Sequence, residues 1–125
     1  MPPYNDEQFS PSAPVALVTL RVLENNNSLS DISMLIDSGA DVTMLPSGYV
    51  RQLGVEANAD EAYQLEGFDG SISVAKAVNL NLIWGRLTFR GRFLLIDQEW
   101  GILGRDVLNN IHLTLDGPLR EWHVR

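Results

Sequence analysis

Met34-Leu35-Ile36-Asp37-Ser38-Gly39-Ala40-Asp41-Val42-Thr43-Met44-Leu45 sets an acid, a hydroxyl and a glycine between two apolar runs. A carboxylate at the end of an apolar strand is costly to bury unless something compensates. Ser38 can donate a hydrogen bond, and Gly39 lets the backbone turn tightly or approach another chain closely. By residue type alone two readings stand side by side. One is a ligand-facing loop; the other is an ordinary turn with an Asx hydrogen bond.

A second stretch comes late: Trp100-Gly101-Ile102-Leu103-Gly104-Arg105-Asp106-Val107-Leu108. Two apolar residues, a glycine, an arginine and then helix formers do not make a generic surface pattern. The two stretches together resemble the retropepsin-like aspartic proteases, the single-lobe family that includes the retroviral enzymes. Leu35-Ile36-Asp37-Ser38-Gly39-Ala40 matches its apolar-apolar-Asp-Thr/Ser-Gly-Ala motif. Ile102-Leu103-Gly104-Arg105 matches its later apolar-apolar-Gly-Arg motif. The order and spacing of the pair make the resemblance specific over most of the chain.

Composition sets outer limits. A chain of 125 residues with 45% hydrophobic content suits one domain with a modest core. Residues 1–14 carry four of the six prolines and read as an extended arm, with 1–8 the looser part. Residues 15–125 then form a single protease domain on the resemblance. Cysteine is absent, so thiolate chemistry and disulfides are excluded. The lone histidines His112 and His123 have no ligand-spaced neighbours, so no metal site and no cofactor are expected. A formal charge of -7 makes nucleic acid and anionic membranes poor partners. No apolar run approaches a bilayer span and no secretory signal is visible, so the expectation is a cytoplasmic protein.

Along the chain the pattern is mostly β. Strands are expected at Val15–Leu23, Ile32–Ile36 and Val42–Leu45, with the Asn25-Asn26-Asn27-Ser28 turn between the first two. A helix is expected over Gly48–Leu53, and an exposed polar segment over 55–62. Residues 62–74 read as a hairpin tipped by Asp69-Gly70. Further strands cover Val78–Trp84, Leu87–Phe89, Phe93–Ile96 and Ile102–Leu103, with Arg90-Gly91-Arg92 read as a turn or bulge. A short helix from Arg105 to Asn109 and a hairpin over 111–124 end the chain. The expected fold class is all-β, a small closed β-barrel-like lobe with one or two short helices.

The resemblance implies an aspartic endopeptidase. Aspartic proteases activate water with two carboxylates sharing one proton, because like charges about 3 Å apart cannot both ionise cheaply. One acts as base on the water and the other polarises the peptide carbonyl. This chain has one suitable loop; Asp69-Gly70 and Asp116-Gly117 lack the hydroxyl and the apolar lead-in. The second aspartate would come from another copy, making the active species a homodimer acting on a peptide or unfolded protein. A catalytically weak peptide-binding or dimerisation module on the same fold is the alternative.

The resemblance also assigns roles. Asp37, Ser38 and Gly39 form the catalytic loop, with Ser38 bracing it across the two-fold and Gly39 offering its carbonyl to substrate. Ala40, Asp41, Val42, Met44 and Ile102 would contact substrate, with Gly67, Phe68, Asp69 and Ile72 from the flap hairpin. Asp41 and Arg105 would make a buried ion pair whose loss costs about 3–5 kcal/mol. Two features depart from the retroviral pattern. The flap Leu65-Glu66-Gly67-Phe68-Asp69-Gly70 has fewer glycines and carries acids. The chain ends in a hairpin, whereas retroviral proteases dimerise through interleaved chain ends.

Overall fold

The computed structural model describes residues 2–55, 58–66 and 72–125; of residues 58–66 and 72–75 the backbone is described. Its strands are β1 (Val15–Arg21), β2 (Ser28–Ile36), β3 (Met44–Pro46), β4 (Asn58–Glu66), β5 (Ile72–Trp84), β6 (Leu87–Ile96), β7 (Gly101–Leu103), β8 (Leu113–Asp116) and β9 (Glu121–Val124). Two short helices interrupt them, α1 (Ser47–Gln52) and α2 (Arg105–Leu108). Six strands close on themselves in the order β1-β2-β7-β3-β6-β5, and β5 returns to β1. Closure removes the open edges that a sheet would otherwise expose.

β5 makes the closure possible through its length. One edge pairs with β6 from Ala77 to Trp84. The other edge is shared: Ile72 to Ala77 pairs with β4, and Asn81 to Ile83 pairs with β1. Alternate residues Val78, Leu80, Leu82 and Trp84 point inward and are buried, the period-2 signature of a strand with one face on a core. They meet Val18, Leu20, Ile32, Met34, Leu45, Phe93 and Leu103 in one cluster. Each such side chain contributes about 1.5–3 kcal/mol when fully buried. The β1–β2 connection turns at Asn26, whose φ of 59° a short amide side chain tolerates.

β7 threads between β2, to which it is parallel, and β3, to which it is antiparallel. The fit depends on Gly101. A Cβ there would lie 2.4 Å from Met34 Sδ and 2.5 Å from the Met44 carbonyl oxygen.

Several expectations need correction. Arg90-Gly91-Arg92 is not a turn: β6 runs unbroken through it, with Asn81, Leu80 and Asn79 paired opposite. The arginines sit on the solvent side, so a charged, glycine-containing triplet can continue a ladder. The polar segment over 55–62 already carries strand backbone from Asn58. Residues 2–5 lie along the terminal hairpin, with a Pro3–Glu121 bridge and the Trp122 N–H donating to the Pro2 carbonyl at 3.0 Å. Tyr4 packs on the core, and the Phe9 ring lies 4.8 Å from that of Trp100. Among the described residues no helix is long and apolar enough to cross a membrane.

Candidate active site

β2 ends at Ile36 and delivers Asp37 to a loop that returns as β3. The loop is held from behind by the segment joining β7 to α2. The Asp37 N–H donates to the Leu103 carbonyl at 3.1 Å, and the Arg105 N–H donates to the Ala40 carbonyl at 2.9 Å. The Arg105 side chain spans the gap between. Its Nη1 donates to the Ser38 carbonyl at 2.7 Å, and its Nη2 pairs with Asp41 Oδ1. Asp41 and Arg105 thus meet, but not as a buried bidentate pair. Their side chains are 82% and 42% exposed, and one arm of the guanidinium serves a backbone carbonyl instead. An exposed pair contributes about 0–1 kcal/mol. Here its consequence is the shape of the loop.

At the loop's far end the anchor is buried. Thr43 is fully buried and donates its hydroxyl to Asp106 Oδ1 at 2.6 Å, within the short range of charge-assisted bonds. The Thr43 N–H donates to Asp106 Oδ2 at 3.0 Å, and Thr43 Oγ1 accepts from the Gly104 N–H at 3.0 Å. Asp106 Oδ1 also accepts from the Val107 N–H at 2.9 Å. Gly104 must be glycine for these contacts, since a Cβ would lie 2.5 Å from the Val42 carbonyl carbon. Sequence reasoning missed Thr43 and Asp106. The signal was a lone hydroxyl inside Val42-Thr43-Met44-Leu45 and an acid in the first turn of α2.

The outer side of the loop is open. Asp37 is half-buried, and its Oδ1 accepts from the Gly39 N–H at 2.9 Å. Ser38 and Gly39 are exposed. A half-buried carboxylate, a hydroxyl and a glycine backbone therefore stand on the open side of a base fixed by hydrogen bonds.

Next to the loop a row of apolar residues crosses the barrel wall. Ala77 pairs with Leu94, Leu94 with Met44, Met44 with Ile102, and Ile102 with Leu35. Ladder partners share a face, and this face is opposite to that of Leu45, Phe93, Val78 and Leu103 in the main core. Val42 and Met44 are partly buried against Ala77 and Leu94 in a separate cluster. So Val42, Met44 and Ile102 come together beside Asp37, with Leu35, Ala77 and Leu94 as neighbours that sequence reasoning did not single out. Gly67, Phe68 and Asp69 lie outside the described residues. The Ile72 backbone pairs with Glu66. Among the described residues no group of three His, Cys, Asp or Glu side chains is placed to hold a metal ion.

The comparisons with known proteins follow this geometry. The family model described as aspartyl protease matches residues 18–107. The fold is similar to that of the EIAV protease solved with the inhibitor HBY-793, at 24% identity and a TM-score of 0.59, over 86% of this chain and 91% of that one. It is also similar to a retropepsin-like aspartic protease from Rickettsia conorii, at 16% identity and a TM-score of 0.59, over 91% of this chain and 82% of that one. No curated protein sequence matches. The family match spans the Asp37 loop, the Thr43 anchor and the Arg105 segment together, and on it the chain belongs to the aspartyl protease family, an aspartic endopeptidase with the retropepsin-like fold.

Proposed function

We propose that the active species is a homodimer in which Asp37 of each copy supplies half of a catalytic pair. The observation that carries this reading is the single Asp37 loop, fixed from behind by residues 103–106 and exposed in front at Ser38 and Gly39. Two such loops facing each other about a two-fold axis place the carboxylates side by side. The pair then holds one proton between them. The ionised member takes a proton from water while the protonated one polarises the scissile carbonyl. Neither water nor carbonyl requires a metal in this scheme, because the shared proton supplies the electrophile.

On the same reading the substrate is a peptide in extended form. Ala40 and Asp41 lie along its backbone, and Val42, Met44 and Ile102 receive apolar side chains flanking the cut. Gly67, Phe68, Asp69 and Ile72 close over it from the hairpin. Ser38 braces the two loops against each other.

The test is digestion of casein across pH 4 to 7 by the wild type and Asp37→Asn, with sedimentation of both. General acid–base catalysis is worth about 10²–10⁴-fold, so the variant should lose at least a hundredfold while remaining a dimer. The pH profile should be bell-shaped, its limbs belonging to the pair and not to either residue. A stable dimer that cuts nothing would point instead to a peptide-binding module.

A further inference from the structure

The arm that precedes β1 is one wall of a cleft. It is braced in two ways. The Tyr4 N–H donates to the Arg120 carbonyl at 2.8 Å, beside the bond from Trp122 to the Pro2 carbonyl. Asn5 and Ala13 exchange backbone hydrogen bonds at 2.7 and 3.0 Å, and Asn5 Oδ1 accepts from the Glu7 and Gln8 N–H groups. Between this arm, β1, Trp84 and Trp122 lies a cleft of about 470 Å³, the size of a small-molecule site. Its lining contains no residue of the Asp37 loop and none of the apolar row beside that loop.

Three features of the lining specify an occupant. The first is apolar surface. Trp84 and Trp122 are buried with ring centroids 5.6 Å apart, whereas Leu17, on the β1 wall, is 57% exposed. The second is an unused donor. Trp122 is 5% exposed, and among the described residues no acceptor meets its indole Nε1–H. A buried indole N–H ordinarily finds a partner, and leaving it without one is costly. The third is charge. Asp6 and Glu7 are exposed on the arm side of the cleft, and its described lining includes no lysine, arginine or histidine. A cleft lined by one sign of charge gathers ligands of the other.

We propose that this cleft binds a small organic cation with an aromatic body and one oxygen acceptor. The body lies against Leu17 and the tryptophan pair, whose ring faces also favour a nearby cation. The oxygen accepts from Trp122 Nε1, and the ammonium faces Asp6 and Glu7. Hydroxylated aromatic amines are the simplest class that carries all three groups. Charge decides between occupants of one shape: a carboxylate on the same body would meet two acids where an ammonium gains charge-assisted contacts. The site rests neither on proteolysis nor on the homodimer. It gives a ligand to a face of the barrel that the catalytic reading leaves unused.

Tyramine is the probe, beside phenethylamine, which lacks the oxygen, and para-hydroxyphenylacetate, which carries an acid in place of the amine. Calorimetry on the full chain gives the affinities. NMR of the isotope-labelled chain follows the three tryptophan indole N–H signals, with Trp122→Phe identifying that of Trp122. Tyramine should bind with a Kd of about 1 mM or tighter and move the Trp122 signal. Phenethylamine should bind about tenfold more weakly, and hydroxyphenylacetate more weakly still. Leu17→Lys sets a cation in the cleft at an exposed position, so the chain should fold and tyramine should lose about tenfold or more in affinity. Asp6→Asn combined with Glu7→Gln should do the same. Absent tyramine binding, equal affinity for tyramine and hydroxyphenylacetate, or binding unmoved by both sets of substitutions overturns the site. Equal affinity for tyramine and phenethylamine overturns the role of Trp122. A wild-type dimer that Leu17→Lys dissociates overturns the ligand too, since a second copy then covers the cleft.

Discussion

Thr43 and Asp106, 63 residues apart in sequence, share two hydrogen bonds, one from the Thr43 hydroxyl at 2.6 Å and one from its backbone N–H at 3.0 Å. Through Thr43 Oγ1 the contact extends to the Gly104 N–H. One fully buried hydroxyl thus ties the strand leaving the Asp37 loop to the segment that supports it.

Replacing that hydroxyl should be expensive. Thr43→Val keeps the shape but leaves the Gly104 N–H without its acceptor and removes the hydroxyl donor to Asp106 Oδ1. Stability should fall by about 1–3 kcal/mol, and Thr43→Ser should recover most of it. Urea unfolding at one fixed protein concentration checks this, because dimerisation otherwise moves the midpoint.

Glycine positions divide sharply by what surrounds them. Gly104→Ala drives a methyl into the Val42 backbone and should cost about 1–3 kcal/mol or more while displacing the loop. Gly48→Ala, in α1 with nothing within 4 Å of the added carbon, should stabilise by about 0.5–1 kcal/mol. Thermal melts of the two variants should shift in opposite directions.

Arg105 separates stability from activity. Its pair with Asp41 is too exposed to hold the fold, so Arg105→Ala should cost about 0–1 kcal/mol. The same change frees the Ser38 carbonyl and should lower kcat/KM about tenfold or more, since misplacing a reacting group carries a large penalty. Arg105→Lys keeps the charge but not the fork that reaches two partners, and should recover little. Peptide kinetics beside unfolding curves distinguish the two effects.

The arm should contribute measurably. Phe9→Ala removes the ring contact with Trp100, just before β7, and should cost about 0.5–1.5 kcal/mol beyond lost area. Tryptophan fluorescence during unfolding reports it, and little change would mean that the arm is held by its bridges alone.

The sequence was readable where chemistry is local. Asp37-Ser38-Gly39 stands out because an acid and a hydroxyl break an apolar run, and α2 because Gly104 precedes helix formers. Asp41 and Arg105 could be matched by motif, yet their exposure could not, since burial depends on what neither flank encodes. Thr43 looked like strand filler because its partner lies 63 residues away. Arg90-Gly91-Arg92 misled because turn composition and a solvent-facing ladder share residue types. The apolar row from Ala77 to Leu35 was invisible because it crosses five strands, and only register aligns it.

The pairing of Met34–Ile36 with Gly101–Leu103 has a consequence for the chain as it is made. Strands so far apart in sequence must both exist before they can meet, and contacts of that range close slowly. The bed of the Asp37 loop is Leu103 to Asp106, far downstream of the loop itself. A ribosome-bound chain that has emerged only as far as β6 has the aspartate without its bed. Synthesis itself therefore delays the site: the Asp37 loop takes shape only after Leu103 to Asp106 have emerged.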